Sequence, residues 1–147
     1  AGGVGVINPD LTPEEAAEWA SATDAADIAR VFLVAPSSTP ERLKIVADAT
    51  TGFVYAASLM GVTGERTAIT DAARILVQRT RSVTDRPVAV GLGVSTAVQA
   101  SQISEYADGV IVGSAFVRAV LEAESEAAAV EAVAALAQSL AEGVRQR

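Results

Sequence analysis

Pro87-Val88-Ala89-Val90-Gly91-Leu92-Gly93-Val94-Ser95-Thr96 is a short apolar run closed by a Gly-x-Gly turn and a helix cap, and its reading decides the fold. Val88–Gly91 is continuously apolar and does not alternate with polar residues. That is the pattern of a strand buried on both faces, as in a parallel sheet covered by helices. Glycine at 91 and 93 lets backbone N–H groups approach an anion, and a helix starting at Thr96 adds the positive end of its dipole. Two more strand-like runs carry a glycine turn at the same end. Phe53–Ala57 leads to Gly61-Val62-Thr63-Gly64, and Gly109–Val112 leads to Gly113-Ser114. On neighbouring parallel strands, three such turns share one rim and can converge on one phosphate.

Val4–Ile7 and Val31–Ala35 bring the strand-like runs to five, with helical patterns between them. Their starts lie roughly 21 to 35 residues apart, the length of one βα unit in an eight-unit α/β barrel. Helix starts are well marked. Thr12-Pro13-Glu14-Glu15 reads as a capping box with Pro at the first helical position, and Thr39-Pro40-Glu41 repeats the device. Thr96 with Gln99 makes a third box. Thr70-Asp71 predicts a helix to about Arg81, leaving a long connection after Ser58 that is either a lid over ligand or an ordinary surface loop. A short helix follows Ser114 through Phe116, Val117, Val120 and Leu121. Ser125 to about Arg145 reads as one Ala-rich helix, with Val130, Val133, Ala137, Leu140 and Val144 in an apolar stripe packed on the outside. No linker interrupts residues 1–147, so the chain reads as a single domain.

A βα alternation permits two α/β architectures: an open doubly wound sheet, or part of a (β/α)8 TIM barrel. The glycine turns favour the barrel, where loops after the seventh and eighth strands commonly hold phosphate. The chain would then be the C-terminal five βα units plus a long C-terminal helix, with three front units missing. A first residue that is Ala1 and not Met, running at once into a strand, fits a piece of something larger.

The net charge is −7 and the pI near 4.5, which disfavours nucleic acid and anionic membrane surfaces. No transmembrane span and no signal peptide are read from the sequence. With no Cys and no His, no disulfide, thiolate nucleophile or metal site is expected, and the cytoplasm is permitted. The same absence leaves a catalytic gap. Only Asp10 and Glu65 are carboxylates on the right rim, and neither has an evident partner to tune it. Ser58, Ser95 and Ser114 lack a His to activate them. Tyr55 either presents its hydroxyl at the mouth or is a core tyrosine. Asp10 either meets ligand or a partner, or orients its own turn. Asp108 lies at the opposite end of the sheet and reads as structural.

These residues resemble the C-terminal part of the tryptophan synthase alpha subunit family. The matching pieces are Pro9-Asp10-Leu11 with Pro13-Glu14-Glu15, Phe32 through Ser38, Phe53-Val54-Tyr55 running to Gly61-Val62-Thr63-Gly64, Pro87 through Ser95, and Asp108 through Ala115. The resemblance covers essentially the whole chain. It implies a cytoplasmic lyase cleaving indole-3-glycerol phosphate to indole and glyceraldehyde 3-phosphate by a retro-aldol reaction in tryptophan biosynthesis. It implies Tyr55 and Leu92, with Ile7 as a third, at the indole pocket, and Thr63 as the lid residue that fixes a catalytic Asp. Gly64, Gly93, Gly113 and Ser114 would be donors to the phosphate. The family position at Leu92 is often Phe, so this chain keeps an apolar wall without the aromatic face. The family's catalytic Glu and Asp lie on early strands, before Ala1, so no catalytic residue is assigned here and the chain alone is expected to be inactive. The implied partner is a beta subunit in an alpha2-beta2 complex; pyridoxal phosphate belongs to that subunit, and no cofactor is expected here. The glycine turns alone also suit another phosphate-binding barrel, an isomerase or a synthase. A non-catalytic half-barrel, dimerising through its open first strand, is the third reading.

Overall fold

A computed structural model describes residues 2–58, 66–91 and 93–145, with the side chains of 66–71 not described. Six strands are β1 (Gly5–Ile7), β2 (Ala29–Val31), β3 (Leu33–Val34), β4 (Val54–Ala57), β5 (Val88–Gly91) and β6 (Gly109–Ile111). Six helices are α1 (Ala17–Ala25), α2 (Pro40–Ala49), α3 (Arg66–Arg81), α4 (Ala97–Ser104), α5 (Ser114–Leu121) and α6 (Glu126–Arg145). Every pairing is parallel: β1 with β2, then β3–β4–β5–β6 in chain order. A doubly wound sheet reverses its order at a switch point, whereas a barrel does not. The chain is therefore a partial α/β barrel.

The run expected as one strand, Val31–Ala35, is two short strands flanking Phe32. The chain changes partner there: β2 pairs with β1 and β3 with β4. The Phe32 carbonyl still accepts the Tyr55 N–H at 3.0 Å, while its buried ring meets Trp19 edge-on at 5.2 Å between centroids.

One face of the sheet is packed and the other only in part, at Ala89 and Gly91 of β5. Val34, Ala56, Val90 and Val110 form one register row. The first three are buried, beneath Leu43 and Val46 of α2, Ala73, Leu76 and Val77 of α3, and Ala100 and Ile103 of α4. Each large aliphatic buried this way contributes roughly 1.5–3 kcal/mol. On the other face Leu33, Tyr55 and Ala57 are only half-buried, and β1 is exposed throughout. The expectation of strands buried on both faces holds for β5, whose four residues are all buried, and is corrected for β1, for β6 and for the inward residues of β3 and β4.

The caps explain the helix starts. Thr39 Oγ1 accepts the Arg42 N–H at 3.2 Å, and Thr96 with Gln99 completes a full capping box. The box read at Thr12 does not form. Its hydroxyl donates to Glu15 Oε2 at 2.7 Å, Pro13–Glu15 is a 3-10 turn, and α1 begins only at Ala17. Helix α3 begins at Arg66, ahead of the Thr70 expected from its polar start. The stripe expected on α6 holds toward its C-terminal end, where Leu140 is buried and Val144 packs on the core, but Val130 and Ala137 are exposed and Leu136 and Gly143 join the covered face instead. The cause is close approach to α4, where a Cβ on Gly143 would lie 2.3 Å from the Ala97 carbonyl oxygen. By length and composition α6 could cross a membrane, a point the expectation of no span passed over; here it lies against α4 and α5.

Arg30 ties the lower ends of two helices. Its Nη1 donates to the Ala20 carbonyl at 2.9 Å, to Thr23 Oγ1 at 3.0 Å and to Asp24 at 2.5 Å, and its Nε to the Ala49 carbonyl at 3.4 Å. These acceptors lie at or near the ends of α1 and α2, where the helix dipole favours a cation.

Two outcomes follow for stability. Alanine is normally worth about 1 kcal/mol over glycine inside a helix. Gly143→Ala should nevertheless lower stability in urea unfolding by about 1–3 kcal/mol, because the clash is with backbone; a gain would contradict the α4–α6 contact. Tyr106 is buried, its hydroxyl has no hydrogen-bond partner among the described residues, and the Arg74 guanidinium lies 4.7 Å from its ring centroid. Burial raises its phenol above the ordinary 10.0, against the opposing pull of Arg74. The folded state keeps this proton when the unfolded chain loses it, so this part of the stability is complete below pH 10.0 and drains as pH rises beyond it. Tyr106→Phe should leave neutral stability unchanged or slightly raised and flatten the alkaline decline; an unaltered decline would contradict this.

Candidate functional site

Register builds the site. Leu33, Tyr55, Ala89 and Gly109 stand opposite one another across β3 to β6, and Ala57, Gly91 and Ile111 form the next row toward the C-terminal rim. Small residues in both rows leave Tyr55 standing between Leu33 on one side and Ile111 above it. Gly91 is required here. A Cβ at this position would lie 2.7 Å from Ile111 Cβ, 2.8 Å from the Ile111 carbonyl oxygen and 2.9 Å from the Tyr55 hydroxyl. The Tyr55 hydroxyl therefore reaches over Gly91 at the mouth. Burial raises its phenol above the ordinary 10.0, so at neutral pH it is an uncharged donor and acceptor.

The rim beyond these rows carries two of the three glycine turns. Gly93 has φ +75°, a backbone state that side chains rarely adopt. Gly113 precedes α5, and nothing lies within 4 Å of the Cβ it lacks. Its carbonyl accepts the Phe116 N–H at 3.0 Å and the Val117 N–H at 3.2 Å. The first amides of α5, near Ser114, have no partner within a helix by geometry, and they open toward the rim. The start of α4 differs. There Gln99 Oε1 accepts the N–H groups of Ser95 at 2.8 Å and Thr96 at 3.2 Å, so the cap itself takes donors that the sequence had offered to an anion.

The remaining candidates divide. Thr63, Gly64 and Leu92 lie outside the described residues, as does Glu65. Ile7 is opposite Val31, one row deeper than Leu33 and a strand away from Tyr55, so the structure does not bring it beside that ring. Leu33 occupies the place, and with Ile111 it is a wall residue that sequence reasoning missed. The alternation of these strands held the signal, but only pairing register says which parity faces inward. Asp10 is exposed and its N–H donates to Asn8 Oδ1 at 3.2 Å, a local turn contact. Asp108 is structural: Oδ1 accepts from Arg81 and Oδ2 from the Val88 N–H, both at 2.8 Å. Among the described residues no group of His, Cys, Asp and Glu could hold a metal ion.

Comparison with known proteins gives one answer. Residues 1–145 match the family described as tryptophan synthase alpha chain. A tryptophan synthase alpha chain from Streptomyces avermitilis is 57% identical over 145 residues, covering 99% of this chain and 52% of that protein. One from Mycobacteroides abscessus is 56% identical over 146 residues, covering 99% and 53%. Among solved structures, a Mycobacterium tuberculosis tryptophan synthase chain superposes with a TM-score of 0.84 at 53% identity, covering 99% of this chain and 53% of that one. The chain spans about half the length of the curated relatives it matches.

Gly91→Ala tests the mouth. The three contacts cannot all persist, so the variant should lose about 1–3 kcal/mol and displace the Tyr55 ring. Unfolding and the Tyr55 ring resonances would report both; wild-type values for each would contradict this geometry.

Proposed function

This chain belongs to the tryptophan synthase alpha chain family, and from that premise we propose that it supplies the phosphate grip and the indole wall of a barrel lyase. The reaction is retro-aldol cleavage of indole-3-glycerol phosphate to indole and glyceraldehyde 3-phosphate, within bacterial cytoplasmic tryptophan biosynthesis. The observation that carries the reading is the rim: Gly93 in a left-handed turn and Gly113 opening α5, at the ends of two paired strands beside Tyr55.

The roles follow from chemistry. The phosphate dianion meets backbone N–H groups at Gly93, Gly113 and Ser114, joined by Gly64. A chain of net charge −7 can hold a dianion this way, because oriented amides and a helix dipole supply the positive potential locally. The flat indole lies against Tyr55, Leu33 and Leu92, with Ile7 at a deeper level. Thr63 acts in the loop between β4 and α3, positioning a carboxylate. Cleavage needs an acid to protonate indole C3 and base help at the indole N–H and the glycerol hydroxyl. We assign these to a Glu and an Asp on three βα units that would precede Ala1. A beta subunit, which carries pyridoxal phosphate, takes up the indole in an alpha2-beta2 assembly; this chain needs no cofactor of its own.

The purified chain should yield no indole from indole-3-glycerol phosphate, and adding a fragment with the three front units should restore some turnover. Turnover by the chain alone would overturn the division of labour. Indole-3-propanol phosphate should bind more tightly than sugar phosphates without an indole; the reverse order would favour another phosphate-binding barrel.

A further inference from the structure

We propose that Arg79 is a positioning residue for the rim: from α3 it fixes the loop between β3 and α2 beside the Leu33–Tyr55 wall. The proposal rests on the reading of this rim as the substrate site. Arg79 Nη1 donates to the Pro36 carbonyl at 3.0 Å, and Nη2 donates to the Ser38 carbonyl. The loop is a tight turn of its own, with the Ser38 N–H on the Ala35 carbonyl at 2.9 Å and the Ala35 N–H on Ser38 Oγ at 3.0 Å. It emerges from β3, which is only two residues long, so the sheet holds it weakly. A planar guanidinium reaches two carbonyls two residues apart at once; a lysine ammonium cannot reproduce that fork.

These bonds select a conformation more than they stabilise the fold. Pro36 is exposed, so water can satisfy its carbonyl when the arginine is gone, and the net gain per bond is small. The loop therefore stays folded without Arg79 but samples other positions. A second arginine continues the arrangement: Arg42 of α2 donates to Glu14 in the 3-10 turn after β1. The Glu14 carboxyl is held below its ordinary 4.5 by a backbone hydrogen bond first and by Arg42 second. That exposed ion pair is weakened by salt and by acid. The Arg79 bonds end on carbonyls, which do not titrate. Connections after β1 and β3 are thus tied in series to α3, and only the Arg79 tie abuts the strand that carries Leu33.

Amide exchange and ligand binding on the wild-type chain, Arg79→Lys and Arg79→Met decide the matter. Both variants should raise exchange at Ala35 and Ser38 about tenfold, leave the Val54 and Tyr55 amides within about twofold, and weaken indole-3-propanol phosphate about tenfold. Inorganic phosphate, which does not reach the Leu33 wall, should bind all three chains alike. Wild-type exchange at Ser38 in Arg79→Met, an equal rise across the whole sheet, rescue by lysine, or unchanged affinity for the indole ligand would each overturn the proposal. A wild-type chain that binds neither ligand would instead bring down the substrate reading and the positioning role built on it, whatever the exchange pattern.

Discussion

A parallel sheet is built to be covered on both faces, and this one is covered fully on one and only at β5 on the other. The outer row of Val34, Ala56 and Val90 is sealed under α2, α3 and α4, and it holds the strands in register. The inner face carries Leu33, Tyr55 and Ala57 half-exposed, and β1 is exposed throughout, with Val4 just before it at 83% exposure. The packed side supplies the rigidity; the bare side is the surface on which a flat apolar ligand can lie. A closed barrel would fill the inside with side chains in layers. Here the residues of those layers nearest the rim are small, apart from Leu33, Tyr55 and Ile111.

Gly91 joins scaffold and site. Its outer neighbour Val90 belongs to the sealed core, while its own missing side chain admits Ile111 and the Tyr55 hydroxyl to the same few cubic ångströms. The strand that anchors the fold therefore sets where the tyrosine stands. Beyond it, Gly93 takes a left-handed turn and Gly113 leaves open space, so two backbone segments after neighbouring strands lie at one rim. None of this requires a cation, so the strongly acidic chain is compatible with the anionic ligand proposed for it.

Much of this was legible in the sequence because it depends on local signals. Thr39 and Thr96 mark their helices by hydrogen bonds that close within three residues, and Gly93 marks its turn by the left-handed backbone that glycine favours. What escaped depends on partners distant in the chain. Leu33 and Ile111 became wall residues only once pairing placed them beside Tyr55 and Gly91. The place of Gly143 on the covered face of α6 was set by its meeting Ala97, and the break at Phe32 by a change of strand partner. Thr12 had the right spacing for a box, but its hydroxyl turned to Glu15 and the first turn tightened. The buried clamp made by Arg30 carries no periodic signal at all.

The account stands on the rim amides facing a shared anion. Titrating inorganic phosphate into the isotopically labelled chain and following every backbone N–H by NMR addresses this directly. The account predicts that the largest shifts fall on Gly93, Gly113 and Ser114, saturating together with one affinity. Shifts centred on Asp24, Asp27 and Thr51 at the opposite end of the strands, or separate affinities for Gly93 and Gly113, would contradict it.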